Sequence, residues 1–244
     1  MNTINIRISK TILTAIGLLT AGAISFAQAD TSSYVLPKNS SPNFYLEVGA
    51  GFMRADLKEA NVEPGDEGIP SDLKKFYGGT IAFGWRIAKQ HKVQIESGLY
   101  GSSYSDSESG TGWSASYKTT IAAIPVLATY SYCIQLDPAE RCELRLSPAL
   151  GFYSMGVNIK QDENWNNGSG NSGYYNRDET ASDIAPAIGA GVGFTWHFTS
   201  KFYLDAGYRL LYVGKTEYSY SDNDTLKFKA MTTHSLSVSL GWKF

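Results

Sequence analysis

Beyond residue 29 the sequence has no run of about 20 apolar residues, so nothing there is built to cross a membrane as a helix. Cysteine is nearly absent: Cys133 and Cys142 are the only two, with no Cys-x-x-Cys pair and no histidine close by. That argues against a thiolate metal site or a catalytic thiol. Histidine is as rare, at His91, His197 and His234. A basic excess is missing too. Twenty-one Lys and Arg stand against 23 Asp and Glu, and nucleic-acid binding wants a basic face. Asp222-Asn223-Asp224 lacks the glycine and the closing glutamate of a calcium loop. No cofactor and no metal are expected.

One apolar run does exist, at the start. Arg7 and Lys10 precede the mostly apolar stretch from Thr11 to Phe26, and Ala27-Gln28-Ala29 forms a small-residue cleavage site before Asp30. Residues 1–29 therefore read as a secretory signal. The alternative is an anchor helix, but the run is short for a span and interrupted by Gly, Thr and Ser. Losing this leader would take the net charge from −2 to −4. Residues 30–42 are polar and carry Ser, Asn and Pro, as a flexible lead-in does.

What is abundant is alternation. At the end of the chain Leu236, Val238, Leu240, Trp242 and Phe244 fall on one face, and Ser235, Ser237, Ser239, Gly241 and Lys243 on the other. A period of two is a strand with one apolar side. Seven further segments repeat it, at 43–54, 77–87, 93–104, 117–132, 142–157, 183–198 and 202–213. Connections alternate in length. Those at 88–92, 133–141 and 199–201 are short, whereas 55–76, 105–116, 158–182 and 214–231 are long. Strands can cross a membrane when a closed barrel pairs every backbone group, and roughly 9–11 tilted residues per strand suffice. The pattern predicts an all-β, eight-stranded antiparallel up-and-down transmembrane β-barrel over 43–244, with short turns at one end and long loops at the other. A soluble β-protein would also alternate. Aromatics distinguish the two. Phe44, Trp85, Tyr130, Tyr132, Trp196, Phe198, Phe202, Trp242 and Phe244 share the short-turn end, while Phe52, Tyr77, Phe152 and Tyr212 share the other. Two belts suit two headgroup layers.

The opposite faces carry small residues, tyrosines and charge. Glu47, Glu96, Glu143 and Asp205 stand against Arg86, Arg145, Arg209 and Lys243. Lone buried charges are costly, so this balanced set implies mutual pairing within the lumen of a narrow barrel. Arg86 and Glu96 flank one short turn and could meet diagonally. Cys133 and Cys142 lie at the two ends of another. In an oxidising compartment a disulfide between them is expected, provided the turn breaks the alternation that would set them on opposite faces. Such a bond contributes roughly 2–3 kcal/mol. His234 lies near Ser235 and Ser237 with no acid placed beside it, so a rim histidine without chemistry is the preferred reading over an enzyme. The long connections hold the exposed chemistry: Asp56, Glu59, Glu63, Asp66, Glu67 and Asp72 in the first, Asn164, Trp165, Asn166, Asn167, Asn171, Tyr174 and Tyr175 in the third, Tyr218 and Tyr220 in the fourth. Polar loops with exposed aromatics are contact material, or merely solvated surface.

The terminal Leu240, Trp242 and Phe244, with the IPVLATYSY stretch from Ile124 to Tyr132 and the four-loop layout, carry a resemblance to the OmpA/OmpX-like family of eight-stranded outer-membrane barrels. That resemblance implies a cell outer-membrane protein of a Gram-negative bacterium, with periplasmic termini and extracellular long loops. It implies lipid and lipopolysaccharide around the wall, and barrel-assembly machinery that reads Leu240, Trp242 and Phe244. Activity is left open by the family, which includes anchors, adhesins and a few enzymes. The expectation is a non-enzymatic, monomeric, side-chain-plugged barrel whose outer loops meet a surface ligand; a narrow solute channel and an outer-leaflet lipid-modifying enzyme are the alternatives.

Overall fold

The computed structural model describes residues 43–58, 69–139, 141–166, 172–219 and 225–244. The expected signal at 1–29, the lead-in at 30–42, and Glu59, Glu63, Asp66, Glu67, Asn167, Asn171, Tyr220 and Asp222-Asn223-Asp224 lie outside them.

Eight strands close a ring. They are β1 (Asn43–Ala55), β2 (Lys75–Ala88), β3 (His91–Gly110), β4 (Trp113–Gln135), β5 (Cys142–Asn166), β6 (Ser172–His197), β7 (Phe202–Val213) and β10 (Met231–Lys243). Each pairs antiparallel with its neighbours in chain order, and β10 returns to pair with β1. Val48 faces Leu240 and Leu46 faces Trp242 in that closing seam. Two short strands, β8 (Thr216–Ser219) and β9 (Thr225–Phe228), make a separate hairpin. A short 3₁₀ turn spans Ser71–Lys74.

The apolar rows point outward. Val48, Ile81, Leu99, Leu150, Ile188, Leu236, Val238 and Leu240 are exposed on the wall. At the short-turn end Phe83, Phe44, Phe244, Trp242, Phe202, Phe198 and Trp196 run ring to ring, with centroids 5.6 to 6.4 Å apart. Side chains so exposed to water would be costly; against acyl chains they are at home. Phe52 and Tyr77, 5.2 Å apart, begin the second belt at the other end.

The interior faces are tight, and the glycines show why. A Cβ built on Gly241 would come within 2.0 Å of the Tyr203 ring. Glycine there is the vacancy into which the buried tyrosine folds.

The long connections differ from the loops expected of them. β3 and β4 are 20 and 23 residues long, and β5 and β6 are 25 and 26, against 12 to 14 for β1, β2, β7 and β10. Residues 105–116 are one continuous hairpin turned at Gly112, whose positive φ of 79° suits a residue without a side chain. The 158–182 stretch continues the β5–β6 ladder from Asn158↔Thr180 to Asn166↔Ser172. Alternation fades there because both faces meet water, so the binary pattern stops where the strand does not. β6 leaves β7 at Ala187↔Val213. Beyond that point β3, β4, β5 and β6 rise together as a four-stranded sheet.

Candidate functional site

The lumen is built in two tiers. The polar tier lies toward the short turns. Arg86 Nη2 donates to Glu143 Oε2 at 2.6 Å, and His197 Nε2 shares a hydrogen bond with Glu143 Oε1 at 2.8 Å. Arg145 Nη2 donates to Asp205 Oδ1 at 2.5 Å and its Nη1 lies 4.0 Å from Glu47. Lys92 Nζ stands 3.4 Å from Glu47, which also accepts from Tyr203 Oη at 2.8 Å. Arg209 Nη2 donates to Glu96 Oε2 at 2.8 Å, and Gln94 Nε2 reaches the same oxygen at 2.8 Å. Thr195 Oγ1 donates to Asp205 Oδ2 at 2.6 Å. Lys243 Nζ lies 5.6 Å from the Tyr203 ring centre, within cation–π reach. Carboxylates so held satisfy the rule that buried charge must be paired and hydrogen-bonded.

Two of these contacts differ from sequence reasoning. Arg86 meets Glu143 and Glu96 meets Arg209, so Arg86 and Glu96 do not join diagonally. Their strands pair Arg86 with Lys92 and Ala82 with Glu96, which sets the two side chains well apart along the lumen. Lys92, His197 and Tyr203 were not among the expected charge partners, nor was Tyr45, whose ring centre lies 4.3 Å from Lys92 Nζ. Lys92 carries the signal, since it has the inward parity of Gln94 and Glu96, one place before the expected start of its strand. A polar cavity of about 50 Å³ remains between Glu47, Glu96, Arg145, Asp205, Arg209 and Ser239.

The second tier is apolar and had no sequence forecast. Toward the hairpin end Met53, Phe76, Ile121, Leu127, Tyr153, Met155, Val157, Leu211 and Val213 pack inside the ring. Tyr153 Oη donates to Met53 Sδ at 3.3 Å. The mouth above is covered. Leu57 follows β1, Leu73 comes from the 3₁₀ turn, and Tyr218 and Phe228 from the β8–β9 hairpin, with their rings 5.5 Å apart. Ser102 Oγ donates to the Asp72 carbonyl at 2.7 Å and the Lys229 amide to the Lys58 carbonyl at 2.9 Å, fastening these covers down. Each fully buried side chain of this kind stabilises by about 1.5–3 kcal/mol.

Cys133 and Cys142 are both free thiols. The disulfide expectation fails on register. Cys133 pairs with Arg145 and Gln135 with Glu143, so Cys142 falls beyond Glu143 and on the opposite face. Alternation persists through both strand ends, Cys133 pointing into the lumen and Cys142 to the wall. The turn is held otherwise. Asp137 Oδ1 accepts the Cys142 amide at 2.7 Å, and this holds its carboxyl below the usual carboxylate range. His234 faces the wall and accepts or donates at Nδ1 to Tyr208 Oη, 2.7 Å away. Ser235 and Ser237 have the opposite parity, so no serine–histidine pair forms with them. Leu240 and Trp242 lie on the wall and Phe244 donates its amide to the Phe44 carbonyl at 3.0 Å.

At the far end of the projecting sheet, Gly110, Trp113, Trp165 and Gly173 form one cross-strand row. Ala115, Glu163 and Tyr175 make the next row on that face, and Tyr117 and Gln161 the third. Tyr117 Oη donates to Glu163 Oε1 at 3.2 Å.

Among solved structures the chain is similar to the Neisserial surface protein A, at 18% identity and TM-score 0.40, over 82% of this chain and 97% of that one. It is similar to Ail, the attachment invasion locus protein of Yersinia pestis, at 13% identity and TM-score 0.40, over 84% and 100%. It is also similar to a major outer membrane protein of Thermus thermophilus, at 11% identity and TM-score 0.47, over 84% and 100%. No curated protein matches the sequence. The family description that fits is the outer membrane protein beta-barrel domain, matched from residue 14 to residue 244, and the chain belongs to that family of the outer membrane.

Proposed function

We propose that this protein is a surface-interaction barrel of adhesion type, plugged by its own side chains, that presents the β3–β4 and β5–β6 hairpins to an extracellular partner. The supporting observation is the asymmetry of the rim. Four strands run about twice the roughly 9–11 residues that a membrane crossing requires, and they end in exposed Trp113, Trp165, Tyr174 and Tyr175. A paired sheet holds such side chains in fixed positions at little ordering cost on binding. In this reading residues 1–29 export the chain, both termini face the periplasm, and the hairpins face outward. Lipopolysaccharide and lipid surround a monomeric wall, and Leu240, Trp242 and Phe244 present the final strand to the assembly machinery.

The two-tier lumen favours a plug over a solute channel. The apolar tier and its covers lie in series with the ion pairs, and the cavity of about 50 Å³ holds only a few waters. A lipid-modifying enzyme has no support at His234, whose Nδ1 is occupied by Tyr208. The test is to trim residues 158–182 to a short turn in cells displaying the protein. Heat-modifiable migration should persist while attachment to host or environmental surfaces is lost; undiminished attachment would overturn the proposal.

A further inference from the structure

On the lumen-side face of the projecting sheet, two cross-strand-paired tryptophans each lie over a glycine of an outer strand. A Cβ on Gly110 would meet Trp113 Nε1 at 2.3 Å, and one on Gly173 would meet Trp165 Cζ2 at 2.2 Å. Each ring therefore leans over the glycine of the neighbouring strand, Trp113 toward β3 and Trp165 toward β6. Despite this contact the two indoles stay 45% and 46% exposed. The row spans four strands, roughly 14 Å at the usual strand spacing. Beneath it Tyr175 and Tyr117 add two further exposed rings, and Ala115 between them is only 6% exposed, shielded by what surrounds it. An open concavity of about 580 Å³ wraps the tip of the sheet, lined by Trp113, Trp165 and Gly173 and by Ser114, Asn164 and Tyr174 of the neighbouring row.

Between the rings stand planar polar groups rather than aliphatic ones. Gln161 and Glu163 occupy the centre of the face. No continuous apolar patch forms among the described residues of this face, which disfavours acyl chains or a second copy as occupant. Exposed aromatic rings with planar hydrogen-bonding groups between them match a sugar, whose ring has an apolar C–H face and a rim of hydroxyls. Charge narrows the class. Asp106, Glu108 and Glu163 share this face, and a cation there, Arg177, is engaged by Glu179 at 2.9 Å. That potential repels sulfated or carboxylated glycans.

We propose that the Trp113–Trp165 face is a binding platform for uncharged oligosaccharides, an assignment that rests on the surface-interaction reading and names its ligand class. The full-length protein in nanodiscs is titrated with maltotriose, lactose and tri-N-acetylchitotriose, reading intrinsic tryptophan fluorescence, with a heparin oligosaccharide as the anionic arm. Saturable binding of a neutral probe is expected, weakened at least about tenfold in the Trp113→Ala/Trp165→Ala double variant, as for other aromatic anchors. Gly173→Leu, which lifts Trp165 from the sheet while keeping both indoles, should weaken it too; heat-modifiable migration shows that each variant is folded. Preference for heparin, equal binding by the folded double variant, or silence with all neutral probes would overturn the platform. If the neutral probes are silent but trimming residues 158–182 still abolishes attachment, the surface-interaction function survives with a non-glycan partner. If trimming also changes nothing, both readings fall.

Discussion

Replacing Arg145 by Met should unseat the polar tier. The guanidinium faces two carboxylates, Asp205 at 2.5 Å and Glu47 at 4.0 Å. Methionine keeps much of the volume and removes the charge. The loss does not fall equally. Glu47 retains Lys92 and the Tyr203 hydroxyl, whereas Asp205 retains only Thr195 among these partners. A buried carboxylate stripped of its cation costs about 3–5 kcal/mol. Unfolding from lipid vesicles in urea, followed by tryptophan fluorescence and by heat-modifiable migration, should show a folding constant lower by roughly two to four powers of ten. The double variant Arg145→Met/Asp205→Leu removes the orphan as well and should recover most of the loss, because an apolar replacement of a whole buried pair is often neutral or stabilising. A single variant within about 1 kcal/mol of the parent, a value typical of exposed pairs, would refute the view that this pair is desolvated. So would a double variant weaker than the single.

Gly241→Val drives a side chain into the Tyr203 ring and should destabilise by about 1–3 kcal/mol, with Gly241→Val/Tyr203→Leu partly restored in the same urea assay. Met155→Ala opens a void in the apolar tier and should cost about 2–5 kcal/mol while planar-bilayer conductance of the parent protein stays at baseline; discrete conductance steps would contradict the plug. Denatured without reductant, the protein should take up two maleimide equivalents, on Cys133 and Cys142. The Asp137 carboxyl is held below its usual range by backbone N–H donors. Its anchoring of the Cys142 amide is therefore complete at neutral pH and fades as pH falls through the folded value, which amide exchange at Cys142 would follow and Asp137→Asn would flatten.

Alternation made the ring legible because lipid on one side and protein on the other enforce a period of two within each strand of the wall, as in Leu46–Phe52 and Leu236–Trp242. The same rule explains what could not be read. Beyond the ring Trp113 and Tyr117 sit in strands that no longer face lipid, so 105–116 and the described residues of 158–182 look like loops in sequence although their ladders run on from Ser105↔Lys118 to Gly110↔Trp113 and from Asn158↔Thr180 to Asn166↔Ser172. The inner faces were legible as polar where Glu47 and Arg145 stand, and misleading further up. Met53, Met155 and Val157 carry inward parity, but an apolar lumen tier has no marker in a single strand; it appears only when eight strands meet. The charge partners had the same defect. Arg86 and Glu143 are 57 residues apart, and nothing local tells Arg86 to pass over Glu96.

The projecting sheet also decides how the molecule bears load. A pull at Trp165 along the strands is opposed by the whole β5–β6 ladder at once, from Asn166↔Ser172 down to Cys142↔Trp196 inside the ring. The hydrogen bonds then act in shear and share the tension. A sideways tug at the same tip peels them one after another. Under the adhesion role proposed above, a tethered cell would hold firmly when drawn straight away from a surface and let go when rolled along it.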